Sequence, residues 1–246
     1  VDAPNVTVEQ LDVNAKGFAP DGIAVERMNA TIQNVSVNGA AHGVLIGGAG
    51  STAHNAIVRD VNITNGASLL AIGITVGEAD NAHVSNATIS GQDSGVDVYT
   101  SSDTVIKHNE ITDSGAGLTT FETDNVQFRN NEIHDMDESA SNTVGIQLEA
   151  FVTNATVVNN DIWNLSEGVY IEGTNTGGEI AGNDIDAEYG VWVDRADVPA
   201  VEIHHNDLSE SNTSLGTGLN TTLRATMNYH GERAGNESFV TGDVVY

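Results

Sequence analysis

Asn154-Ala-Thr-Val-Val-Asn-Asn-Asp-Ile162, followed by Gly168-Val-Tyr-Ile171, is the stretch whose reading decides the fold. Apolar and polar residues alternate in both segments, the period of a strand with one buried face. The pair is then written again along the chain. Its first segment recurs from Asn5, Asn29, Asn55, Asn81 and Asn125, and from Asp103, Gly177 and Ala200 with the leading residue replaced. Its second recurs as Gly22-Ile-Ala-Val, Gly43-Val-Leu-Ile, Gly73-Ile-Thr-Val, Gly95-Val-Asp-Val, Gly117-Leu-Thr-Thr, Gly145-Ile-Gln-Leu, Gly190-Val-Trp-Val and Gly218-Leu-Asn-Thr. A period in the twenties means a solenoid, and a solenoid fixes which residues stack on which. No stretch carries a capped helical stripe, and the leucine framework of leucine-rich repeats is missing. The reading is an all-β parallel β-helix of about nine coils, stacked roughly 4.8 Å apart.

Stacking converts the repeat into columns. Val8, Ile32, Val58, Val84, Ile106, Phe128, Val157, Ile180 and Ile203 should line the core, as should the column from Val13 to Leu208. A corner column changes character: Leu11, Val35, Val61 and Ala87 give way to Asn109, Asn131, Asn160, Asn183 and Asn206. The asparagines read as a ladder whose members take the left-handed corner conformation. The recurrent glycine before each second strand is expected at the next corner for the same steric reason. Insertions at 47–53, 65–71, 135–143 and 209–217, rich in small and polar residues, read as surface loops. Residues 1–225 form the repeats and 226–246 a closing segment. Val1 already lies inside the repeat, so a flanking domain or another chain is expected to cover the bare strand edges of the first coil.

Eight Lys plus Arg stand against 35 Asp plus Glu, a formal charge of −27. Lysine scarcity on this scale points to a surface adapted to high salt, of the haloarchaeal kind, where the Debye length falls to about 3 Å at 1 M. Nucleic acid and membrane insertion are excluded as partners. Cysteine is absent, so there is no disulfide and no thiolate chemistry. Ten N-x-S/T sequons, at Asn5, Asn29, Asn34, Asn62, Asn86, Asn154, Asn164, Asn212, Asn220 and Asn236, support a glycoprotein at the cell surface or outside it.

The corners Asn130-Asn131-Glu-Ile133, Asn159-Asn160-Asp-Ile162 and His205-Asn206-Asp-Leu208, with the ending Asn228-Tyr-His-Gly231…Gly242-Asp-Val-Val-Tyr246, carry a resemblance. The chain is similar to the right-handed parallel β-helix family of carbohydrate-binding and sugar-hydrolase modules, NosD-like proteins included. The resemblance covers essentially the whole chain and implies a right-handed solenoid with a polysaccharide or surface glycan as partner. His230 stands where the closing segment of the family has a second aromatic. The Asp-Pro-His signature of alginate epimerases is missing, and no Cys, Met cluster or H-x-H pattern supports copper.

Two outward columns carry candidate chemistry. On the second strand, Ala24, Leu45, Thr75, Asp97, Thr119, Gln147, Tyr170 and Trp192 stack beside Glu26, Gly47, Gly77, Tyr99, Phe121, Glu149, Glu172 and Asp194. Tyr99, Phe121, Tyr170 and Trp192 are the candidate glycan-binding rings, since sugar rings stack on flat aromatic faces. Glu149, Glu172 and Asp194 are the catalytic candidates of the alternative reading, a lyase, hydrolase or epimerase with a groove walled by 135–143 and Arg195 as its cation. After the ladder, Glu110, Glu132, Asp161, Asp184 and Asp207 form an acidic column. It is the candidate site for Ca²⁺ or monovalent cations, with no cofactor otherwise required. Arg59, Lys107, Arg129 and His204 form a nearby compensating column.

Overall fold

The computed structural model describes residues 1–15, 21–48, 50–66, 70–137, 142–194, 201–217, 222–230 and 243–245. All the named strands belong to one parallel sheet wound into a solenoid, and among the described residues there is no helix. No helix is therefore long and apolar enough to cross a membrane.

The two segments of the repeat form two layers. The first layer begins with the unbroken strands Thr7–Asn14, Thr31–Asn38 and Ile57–Thr64. It then splits into short pairs, such as His83–Ser85 with Thr88–Ser90 and Val105–Lys107 with Glu110–Thr112. The second layer stacks Asp21–Val25, His42–Gly47, Ile72–Gly77, Ser94–Tyr99, Ala116–Phe121 and Val144–Leu148, then the ends of Asp161–Ile171 and Asp184–Val193, then Thr213–Thr217. The predicted core columns are the observed ones. Ile32 pairs with Val58, Val58 with Val84, Val84 with Ile106, and so on to Ile203, all nearly or fully buried. Pairing continues past the repeat boundary, with Glu202–His204 against Thr222–Thr226 and the latter against Asp243–Val245.

The asparagine ladder is present and longer than expected. Asn109 donates its amide to Asn131 at 2.9 Å, and the chain of bonds runs through Asn160, Asn183 and Asn206 to Asn228. Each Oδ1 also accepts the main-chain N–H of the preceding coil, and from Asn131 onward each amide reaches a core carbonyl, as Asn160 does to Phe128 at 3.0 Å. Asn228, at 2.9 Å from Asn206, falls in the stretch that the sequence assigns to the closing segment of the same domain.

Two expectations about corners are corrected. The ladder asparagines do not carry the left-handed backbone; the residues before them do, His108, Asn130, Asn159, Gly182 and His205. The ladder side chain must point inward to bond, and the preceding residue takes the turn that aims it. The leading residue of each first segment is also left-handed, as at Asn81, Asp103, Asn125, Asn154 and Gly177, which explains why Asp and Gly replace Asn there. The described recurrent glycines, Gly22 to Gly190, are not left-handed either. A Cβ on Gly95 would lie 2.6 Å from the Gly117 carbonyl oxygen and 2.6 Å from Ile111 Cγ2. Glycine is required there by close approach, since it makes room for the isoleucine that fills the turn.

Candidate functional site

The outward face of the second layer is built by strict register. Thr75, Asp97, Thr119, Gln147, Tyr170 and Trp192 stand one above another. Gly77, Tyr99 and Phe121 stand beside them. Glu149, Glu172 and Asp194 continue that row, each donating its main-chain N–H to the coil before. A third row was not singled out from sequence: Ser94, Ala116, Val144, Glu167 and Tyr189.

A groove of about 470 Å³ opens on this face. Asp93, Ser94, Asp97, Thr119, Gln147 and Glu149 line it, with Asn142 from the 135–143 insertion at its wall. Asp97 sits on its floor. Ser94 and Thr119 donate their hydroxyls to its carboxylate. Burial nevertheless dominates and raises its pKa above the ordinary value, with the charge of Asp93 adding to the effect. Glu149 is raised as well, by burial first, then by Glu172 and Asp97. Two carboxyl groups held above their usual range in one groove can keep or exchange protons nearer neutrality. Asp97 was visible in the column beside Tyr99, but nothing in the sequence marked it as the buried carboxylate of the groove.

The aromatic candidates separate in the structure. Tyr170 and Trp192 pair in neighbouring coils, both half-buried. Tyr189 meets Trp192 edge to face at 5.0 Å, so this third ring holds the indole in place. Burial and the surrounding acids push the Tyr170 hydroxyl up to about 12, and it donates a hydrogen bond to Asp194. Asp194 is thus bound to Tyr170 and lies coils away from Asp97. Tyr99 lies back over Gly77, where a Cβ would come within 2.1 Å of its ring. That coil offers a covered ring rather than an open platform. Phe121 is exposed at 37%. Glu167, raised by burial and held by Asn142, fills the flank between groove and rings. Arg195 lies outside the described residues. Across the three rows no described Lys or Arg is present.

The acidic column is in register as read: Glu110, Glu132, Asp161, Asp184 and Asp207. Asp184 is raised by burial and by the charges of Asp207, Asp161, Asp186 and Glu210. The column supplies one carboxylate per coil, and among the described residues no three His, Asp or Glu side chains converge as a metal site. Beside it, His134 stacks on Trp163 at 4.1 Å, and Trp163 opens into a second hollow of about 540 Å³ with Asp135, Asn164, Asp186, Glu188, Glu210 and Asn212.

A family model described as the right-handed β-helix region matches residues 72–230. The chain belongs to that family. A search of curated proteins by sequence finds no match. Among solved structures, it is similar to a periplasmic alginate epimerase with a TM-score of 0.70 and 13% identity, over 97% of this chain and 69% of that one. It is similar to a hyperthermoactive exopolygalacturonase of Thermotoga maritima with a TM-score of 0.60 and 14% identity, over 73% of this chain and 47% of that one. A tailspike protein of Escherichia coli bacteriophage HK620, solved with a hexasaccharide, gives 0.59 and 12% identity, over 89% of this chain and 46% of that one. The chain spans about half the length of the last two. At such identities the likeness concerns the fold.

Proposed function

We propose that this chain is a glycan-contacting module of a salt-adapted, cell-surface or secreted protein, and that the outward face of the second layer is its binding surface. The observation that carries the reading is the register of Tyr170 and Trp192, braced by Tyr189 and continuous with the Asp97–Glu149 groove. A row of stacked rings ending in a polar cleft suits a chain of sugar rings running along the rod. The names of the structural neighbours, two acting on or named for polysaccharides and one holding an oligosaccharide, support this reading. The face carries carboxylates without a described Lys or Arg, so a neutral glycan meets it without the repulsion a uronate would meet. Glycan arrays in molar salt test the reading. Binding should occur and should fall at least tenfold in Tyr170→Ala/Trp192→Ala. Absence of binding, or binding unchanged in that variant, removes this surface as the site.

A second reading, a polysaccharide lyase, hydrolase or epimerase, is favoured by the raised Asp97 and Glu149 in one groove. Under it, Glu149 and Asp97 hold the acid and base roles, and Glu172 and Asp194 orient the substrate. Release of reducing ends or of unsaturated product identifies it. Asp97→Asn and Glu149→Gln should each abolish that release while leaving binding in place.

A further inference from the structure

Two sets among the described asparagines differ sharply in exposure. The eight sequon asparagines among them, Asn5, Asn29, Asn34, Asn62, Asn86, Asn154, Asn164 and Asn212, are all exposed. The six buried asparagines, Asn109, Asn131, Asn160, Asn175, Asn183 and Asn206, stand outside any sequon. A ladder asparagine cannot open a sequon, because the residue two places on is a core Ile or Leu, as Ile111 and Leu208 are, so the sequons fall to the exposed turns and outward positions. Their placement is one-sided as well. None of the sequon asparagines occupies the three outward rows of the second layer; seven lie on the first layer or at its corners, and Asn212 precedes Thr213–Thr217. Asn164 and Asn212 both border the Trp163 hollow, which oligosaccharides there would cover.

We propose that this chain is N-glycosylated along the first-layer flank, leaving the second-layer face bare. The inference stands independently of what that face binds. The donor is a lipid-linked oligosaccharide, and the catalyst is an oligosaccharyltransferase of the exporting membrane. The asparagine amide nitrogen attacks C1 of the sugar. A C–N bond forms, the C1–O bond to the lipid phosphate breaks, the phosphate leaves with the bonding electrons, and the amide loses one proton. The reacting nitrogen must be free, and the structure grades the sites on that point. Asn29, Asn86, Asn154 and Asn164 donate their amides to Asn5, Asp60, Asn125 and Asp135, the last at 2.7 Å. The amides of Asn5, Asn34, Asn62 and Asn212 donate to no described neighbour; of these, Asn5 accepts from Asn29 and Asn212 lies outside the first layer. Asn34 and Asn62 are therefore the leading sites.

Peptide mass mapping of the protein recovered from its native cells tests this. The Asn34 and Asn62 peptides should carry an oligosaccharide mass increment, with occupancy several-fold above that at Asn86 and Asn164. Both peptides at unmodified mass would overturn the proposal, as would occupancy ranked the other way. Ser36→Ala destroys the Asn34 sequon while leaving the asparagine; Ser36 is exposed and outward. The Asn34 increment should vanish and the Asn62 increment persist, with the circular dichroism spectrum unchanged. An increment that survives Ser36→Ala is not sequon-directed and ends the inference.

Discussion

The first three coils and the later ones solve the same corner in different ways. In the early coils Val35 and Val61 sit in an unbroken strand at 2% and 3% exposure, held by packing alone. In the later coils Asn131 and Asn160, each 1% exposed, hold the same column by directional bonds. The outward face divides near the same place. Early coils show Ala24, Leu45 and Gly47; later ones show Asp97, Gln147, Tyr170 and Trp192. Apolar packing tolerates small rotations between coils, whereas a bonded ladder fixes them. Side chains contributed by different coils need fixed rotation to form one surface, and here the chemistry is built mainly where the ladder runs.

The sharpest way to break this comparison is to remove one rung on each side. Asn160→Ala leaves the Asn131 N–H and the Phe128 carbonyl without their partner, at about 1–3 kcal/mol for each orphaned group. We expect a total loss of about 3–5 kcal/mol by denaturant unfolding. Val61→Ala removes two methyl-sized groups, about 2 kcal/mol with its cavity. Equal losses from the two substitutions would show that the ladder adds nothing beyond packing.

Salt should separate the regions next. The acids run unbroken from Glu110, and in earlier coils the column reads Asp12, Ser36, Asn62 and Thr88. Each acid pair at coil spacing costs up to about 1 kcal/mol in water, and screening lowers this. Thermal stability should rise with NaCl or KCl. Amides of the later coils should gain more protection from hydrogen exchange on salt addition than those of the early coils. Asp161→Asn/Asp184→Asn should lower the salt requirement, and millimolar Ca²⁺ should replace part of it if neighbouring carboxylates share a cation. A melting temperature flat from low to molar salt would defeat both ideas.

The smallest effect expected is on pH. Burial raises the folded pKa of Asp97 and Glu149, so the folded state binds their protons more tightly than the unfolded chain does. Their contribution is fully present below the unfolded carboxylate range and is lost as pH rises through the raised folded values. At neutral pH Asp97→Asn should therefore be more stable than the parent chain, and the advantage should shrink as pH falls through that window. Melting curves between pH 3 and 8 check the sign. A variant less stable at pH 7 would mean that the Ser94 and Thr119 bonds outweigh burial.

The columns were legible in the sequence because a solenoid maps repeat position directly onto space; Ala24 to Trp192 stack as read. What was not legible depends on backbone direction and side-chain reach. The left-handed residue is Asn130 and not its neighbour Asn131, and two adjacent asparagines give no sign of which one turns. Glycine at 95 reads equally well as a corner or as a close approach until the Ile111 methyl is placed. Asp97 differs from the other outward acids by its burial and by the hydroxyls of Ser94 and Thr119 around it. Glu167 and Tyr189 were missed because the repeat was read from its glycine onward, and both precede it.

The ladder also has a direction. Every asparagine from Asn109 to Asn206 gives its amide N–H to the following coil and takes one from the preceding coil through its oxygen, where a preceding rung exists. From Asn109 on, each ladder coil therefore presents an amide donor towards the segment that follows it in the chain. The finished coil is a template, and the next asparagine of correct spacing is the group that satisfies it. Along the ladder the rod is polar from coil to coil, and a turn set in the wrong register would leave a dangling amide.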